Sequence, residues 1–208
     1  MTDTLNTGFF PTSEDIDAIG RVGSIGAQHA ARALSRFTGI SVRLSTPEMK
    51  TLSIGEVPDL LGGMGAPAMG VLIPFHGDVA GNTLLLFSDD GVKELLKLLF
   101  PGDDEVTEEL KDSAIAETGN ILAGAIHTVM SRLTERILIS LPPITVQDMA
   151  GAILDPLLAE AGSYADEVIT LIFHLSDEAG TSLVKTVLIP GIECLQLMQE
   201  AANRLEVS

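Results

Sequence analysis

Ser113-Ala114-Ile115-Ala116-Glu117-Thr118-Gly119-Asn120, followed after a gap of 22 residues by Pro143, decides how this chain reads. On a helix turning about 100° per residue, Ser113, Glu117 and Asn120 share an arc of about 60°. Ile115, Leu122, Ile126, Val129 and Leu133 line the opposite side. The spacing predicts a long helix with a core-facing stripe and a polar triplet turned outward. A carboxylate and a carboxamide on a rigid outer face suit action on another protein.

The same helix is written a second time. A shift of 96 positions lays Asp17, Arg21 and Ser24 on Ser113, Glu117 and Asn120. It lays Ile19, Gly26, Ala30, Ala33 and Phe37 on the apolar stripe, Gly23 on Gly119, and Pro47 on Pro143. Each half then reads alike. Long helices are predicted at about 13–37 and 107–135, with start signals Thr12-Ser13-Glu14-Asp15 and Thr107-Glu108-Glu109. A short β segment follows each, at 41–44 and 137–139, then a short helix near 53–61 and 149–160. Hairpins are predicted at 68–76 with 81–87 and at 167–175 with 181–189, and closing helices at 90–99 and 191–204.

Six β segments among helices predict an α/β (α+β) fold. The expected architecture is an internally duplicated, pseudo-two-fold domain. Two long homologous helices cover one face of a shared β-sheet. One domain spans 1–208, with half-repeats of about 12–105 and 106–208 joined by Asp103-Asp104-Glu105. The period is far too long for a solenoid repeat.

Composition narrows the function. The chain has 208 residues, 46% of them hydrophobic, enough for a single core that buries roughly 70% of the unfolded surface. There are 29 acidic and 12 basic side chains, for a formal charge of -17. Such a surface repels phosphate backbones and anionic lipid, which argues against nucleic-acid binding. Trp is absent and Tyr occurs once, so no base-stacking platform is visible. One cysteine, Cys194, suits a reducing compartment. No basic leader opens the chain and no apolar run reaches the ~18 residues of a membrane span, so a cytoplasmic location is expected.

With those residues in view, the chain resembles a known family. Asp/Ser-x3-Glu-x2-Asn-x22-Pro is the signature of the CheC, CheX and FliY phosphatases of chemotaxis. The second half matches it throughout, at Ser113, Glu117, Asn120 and Pro143. The double layout resembles CheC in particular, over nearly the whole chain. FliY-like proteins add a C-terminal switch domain for which the chain has no room. The first half keeps Asp17 and Pro47 but carries Arg21 and Ser24 at the Glu and Asn positions. It is read as a degenerate second site.

The resemblance implies a protein phosphatase that hydrolyses the aspartyl phosphate of a CheY-like response regulator. It implies Glu117 and Asn120 as catalytic residues, with Ser113 and Pro143 as docking or motif positions. It implies no cofactor or metal of its own, because the receiver brings Mg²⁺ and a lysine to the reaction. CheD, a receptor deamidase, is implied as a second partner. The main rival is a non-catalytic module that docks a receiver, CheD or the motility switch. His29, His76, His127 and His174 lack helical metal-site spacing and read as structural. Gly62-Gly63-Met64-Gly65 lacks the strand–helix context of a phosphate cradle and reads as a loop.

Overall fold

The computed structural model describes residues 12–61, 63–102, 106–162, 167–190 and 192–206. Helix α1 (Ser13–Thr38) opens with a capping box. Thr12 Oγ1 accepts from the Asp15 backbone N–H, and Asp15 Oδ2 accepts from that of Thr12 at 2.7 Å. The Thr12 backbone N–H also holds the Asp15 carboxyl below the ordinary carboxylate range. Strands β1 (Arg43–Leu44) and β2 (Glu48–Ser53), a 3-10 helix (Ile54–Leu61), the hairpin β3 (Pro67–Gly77) and β4 (Gly81–Phe87), and α2 (Asp89–Leu99) complete the first half. The second half repeats the order: α3 (Glu108–Thr134), β5 (Leu138–Ser140), β6 (Ile144–Met149), α4 (Ala150–Gly162), β7 (Glu167–Ser176), β8 (Ser182–Pro190) and α5 (Ile192–Glu206).

All strands join one antiparallel sheet. Its path is β1-β7-β8-β4-β3-β5, with β2 beside β7 and β6 beside β3. The halves are interlaced. β1 and β2 of the first half pair with β7 of the second, and β5 and β6 of the second pair with β3 of the first. The registers match across the repeat: Glu48 faces Ile172 as Ile144 faces Leu72, and Arg43 faces Ser176 as Ile139 faces His76. Each half needs the other to complete its ladder.

Strand alternation feeds two cores. Val71, Ile73, Phe75, Leu85, Leu171 and Phe173 point under α1, α3 and α5, where Ile19, Leu34, Ile115, Leu122 and Ile126 meet them. Leu84, Leu86 and Val168 point the other way and pack with Val57, Ile153 and Leu154. The long helices reach the sheet through glycine. A Cβ at Gly23 would lie 2.5 Å from Leu171 Cδ2, and one at Gly119 would lie 2.6 Å from Val71 Cγ1. A side chain at either position would lift its helix off the strands.

Three expectations need correction. The sheet has eight strands rather than six, because β2 and β6 were not anticipated. Both follow a proline, Pro47 or Pro143, and gain their strand pairing only from the opposite half. Phe37, placed by periodicity in the core stripe, is 38% exposed on the last turn of α1. The segment at 54–61 is a 3-10 helix. The run Asp103-Asp104-Glu105 and Gly62 lie outside the described residues. Gly63 to Gly65 form a turn closed by the Ala66 N–H donating to the Gly63 carbonyl.

Candidate functional site

Helix α3 carries the candidate site on its outer face. Thr107 caps it, accepting from the Leu110 N–H. The residues between and beside the polar triplet are the ones that bind the helix to the protein. Ala114, Ile115, Thr118 and Gly119 are buried, and Thr118 Oγ1 donates back to the Ala114 carbonyl at 2.8 Å. Ser113, Glu117 and Asn120 are exposed. Glu117 and Asn120 stand one turn apart with backbone positions fixed by the buried side of the helix. Gly124 continues the face, and a Cβ built there would meet nothing within 4 Å. A partner surface can therefore approach this ridge closely.

Pro143 does not join that face. It lies half-buried in the link between β5 and β6. Its ring cannot donate to a ladder, so it marks the break between the two short strands. The structure thus brings Ser113, Glu117 and Asn120 together on α3, while Pro143 stands on the separate β5–β6 link.

The corresponding face of α1 has different chemistry. Asp17 and Arg21 are exposed, and Ser24 is half-buried with its Oγ donating to the Gly20 carbonyl at 2.8 Å. A hydroxyl occupied by its own helix has no free donor for a partner. Arg21 reverses the charge that Glu117 presents on α3.

Two contacts at the site are not visible in the sequence. One is the Gly119–Val71 contact, which sets the height of the helix above β3. Its only sequence sign is that glycine recurs at the same register in both halves, at Gly23 and Gly119. The other is His127, two turns beyond Asn120. It is buried, with Nε2 2.9 Å from Thr83 Oγ1 and Nδ1 2.7 Å from Ser140 Oγ. Its ring centroid stands 4.6 Å from that of Phe75. Burial pushes its pKa down to about 4. Neutral imidazole offers one donor and one acceptor, so it pins α3 to β4 and β5 with both nitrogens used. Among the described residues no group of three or more His, Cys, Asp or Glu side chains is placed to hold a metal ion. No helix among them is long and apolar enough to cross a membrane.

Comparison with known proteins agrees with this geometry. A family model described as chemotaxis phosphatase CheX matches residues 69–165, which include the whole of α3. The CheY-P phosphatase CheC of Bacillus subtilis is 31% identical over 173 residues, covering 79% of this chain and 83% of that protein. The crystal structure of Thermotoga maritima FliY superposes with a TM-score of 0.71 at 19% identity, over 94% of this chain and 99% of that one. The chain of a CheX-CheY-BeF3-Mg²⁺ complex from Borrelia burgdorferi superposes with a TM-score of 0.52 at 16% identity, over 79% of this chain and 94% of that one. The shared fold, and a CheC relative matched along most of both lengths, establish that the chain belongs to the CheC-type family of chemotaxis phosphatases.

Proposed function

We propose that this protein ends chemotaxis signalling by hydrolysing the aspartyl phosphate of a CheY-like receiver, with α3 as its one working centre. The observation that carries this reading is the exposure of Glu117 and Asn120 together on a helix whose opposite side is locked into the core. A relative that matches most of the chain is named a CheY-P phosphatase. The fold also occurs in a CheX captured with CheY. The two half-repeats, about 12–105 and 106–208, act as one domain.

The bond to be broken is an acyl phosphate, already labile. The task is to place one water in line with it. The Asn120 amide donates and accepts at once, so it holds that water without becoming a nucleophile or changing charge. Glu117 pairs with a lysine of the receiver and sets the helix in register. As the water oxygen bonds to phosphorus, the aspartyl oxygen departs as carboxylate and inorganic phosphate is released. The receiver supplies its own Mg²⁺, so α3 needs no metal ligands. The setting is cytoplasmic, where receivers act. CheD is a further candidate partner.

The test is the decay of a phosphorylated receiver with and without the chain. Asn120→Ala should slow the accelerated decay by roughly 10²- to 10³-fold, in line with loss of one positioned polar group. Glu117→Ala should weaken receiver binding as well. A receiver that binds while its phosphate decays at the intrinsic rate would show a docking module and end the phosphatase reading.

A further inference from the structure

His127 is bonded at both ring nitrogens, to Thr83 of β4 and Ser140 of β5, and its ring leans on Phe75 of β3. The repeat shows what the other half has at the same four places. The shift of 96 lays Ala31 on His127 and Leu44 on Ser140. Ladder register supplies the other two. Glu48 faces Ile172 as Ile144 faces Leu72, so Phe173 stands for Ile73 and Leu175 for Phe75. Thr83 faces Ile73 and Thr186 faces Phe173, which makes Thr186 the twin of Thr83. Leu44 faces Leu175 as Ser140 faces Phe75. In the half that carries α1, three of the four positions are therefore apolar and the fourth keeps its threonine.

Both threonines are completely buried. Thr83 Oγ1 meets His127 Nε2 at 2.9 Å. Thr186 Oγ1 has no hydrogen-bond partner among the described residues. A buried hydroxyl without a partner is costly, and native structures keep few of them. The clamp is thus complete at α3, and at α1 only its threonine is present. The polar tie of α1 is of another kind: Gln199 of α5 donates to Asp15 in its first turn. The complete clamp belongs to the helix that presents Glu117 and Asn120.

We infer that His127 is a positioning residue for dephosphorylation, fixing the rotation of α3 about its own axis and with it the direction in which Glu117 and Asn120 point. The inference rests on the receiver-phosphatase reading of α3. Apolar contact is non-directional and sets how near α3 lies more than how it is turned. Hydrogen bonds to two different strands are directional and resist turning. A roll of about 10° moves a side-chain tip about 5–6 Å from the axis by roughly 1 Å, a displacement that can cost about 10²-fold in rate. The receiver cannot simply turn with the helix. A partner of standard size covers about 800 Å². The exposed ridge of a 27-residue helix, roughly 40 Å by 10 Å, offers about half of that, so the receiver also rests on the fixed neighbours of α3.

Thr83→Val and Thr186→Val make the same isosteric change at twin positions. Thr83→Val leaves Nε2 of His127 unpaired. It should slow dephosphorylation at saturating receiver by roughly 10-fold or more and lower the urea midpoint. Thr186→Val removes an orphan hydroxyl, so it should keep the rate and raise the midpoint. His127→Leu should lose at least as much rate as Thr83→Val. Adding Thr83→Val to it should lose no more, because both break one clamp. His127→Gln, which still donates and accepts, should recover most of the rate. Full rate in Thr83→Val, or losses that add in the double variant, overturns the inference. A crystal structure of Thr83→Val reads the orientation directly: α3 should be turned by about 10° against the sheet. An unturned helix overturns the inference whatever the receiver assays give. If the wild-type chain binds the receiver without speeding its decay, the phosphatase reading fails and the clamp is judged on that crystal structure. Where His127→Leu does not fold, Thr83→Val and His127→Gln carry the test.

Discussion

Replacing Gly119 by alanine isolates the contact on which the site depends. The new Cβ would stand 2.6 Å from Val71 Cγ1 and 3.1 Å from Val71 Cβ. Carbon atoms settle at about 3.5–4.0 Å, so α3 must rise from β3 by roughly 1 Å. Val71 cannot swing aside. It is fully buried and β-branched, with one stiff χ1. Overpacking of this kind costs about 1–3 kcal/mol. The gain in helix propensity from glycine to alanine offsets about 1 kcal/mol of that. Stability should therefore fall by roughly 0–2 kcal/mol in urea unfolding, leaving a folded protein to assay. Asn120 is the next residue and moves with its backbone. A misplacement of about 1 Å can cost about 10²-fold in rate, so receiver dephosphorylation should fall far more than stability.

Gly23→Ala is the matched control. Its Cβ would meet Leu171 Cδ2 at 2.5 Å and Cδ1 at 3.0 Å, both at the free end of a side chain that can turn. Whatever displacement remains falls on α1, which lacks the Glu–Asn pair, so dephosphorylation should stay near wild type. Val71→Ala combined with Gly119→Ala removes the 2.6 Å contact and leaves the milder 3.1 Å one, so it should restore part of the rate. Wild-type activity in Gly119→Ala, or an equal loss of rate in Gly23→Ala, would refute the reasoning.

Three further outcomes can be measured. Arg21→Glu with Ser24→Asn rebuilds the family pattern on α1; it should raise turnover per chain about two-fold, and activity should then survive Asn120→Ala in part. Glu135 caps α3 in the left-handed region at φ 56, where the equivalent cap of α1 is Gly39 at φ 75, so Glu135→Gly should stabilise the protein by about 1 kcal/mol in thermal or urea unfolding. His127 has its native pKa lowered to about 4 from 6.5, so the unfolded chain takes up a proton between those values that the native one refuses. Its contribution is fully present above pH 6.5 and declines as pH falls toward 4; over that window stability should drop by roughly 3 kcal/mol, and His127→Gln should flatten the decline.

Most elements were legible because their signals are local. The apolar stripe of Ile115, Leu122 and Ile126 repeats at helical spacing, and all three are buried under α3. Thr12 and Asp15 close the capping box that their spacing announces. The hairpins fall within a residue or two of expectation, since alternation and glycine turns mark them. The outward placement of Ser113, Glu117 and Asn120 was legible for the same reason. Strands β2 and β6 were not, because neither is stabilised by its own half. Their hydrogen bonds come from β7 and β3, far away in the chain. His127 was read as one of four structural histidines. Its role as a clamp depends on Thr83 and Ser140, which only folding brings to its two nitrogens.

The sequence by itself determined the duplication, the two long helices, and which copy keeps an acid and an amide on its outer face. These are matters of periodicity and residue type within one helix, where neighbours in space are neighbours in sequence. Only the tertiary structure decided how the halves interlace, how closely Gly119 lets α3 approach the sheet, and which polar groups meet His127. Those depend on ladder partners contributed from the other half of the chain, and no local pattern specifies a partner so far away.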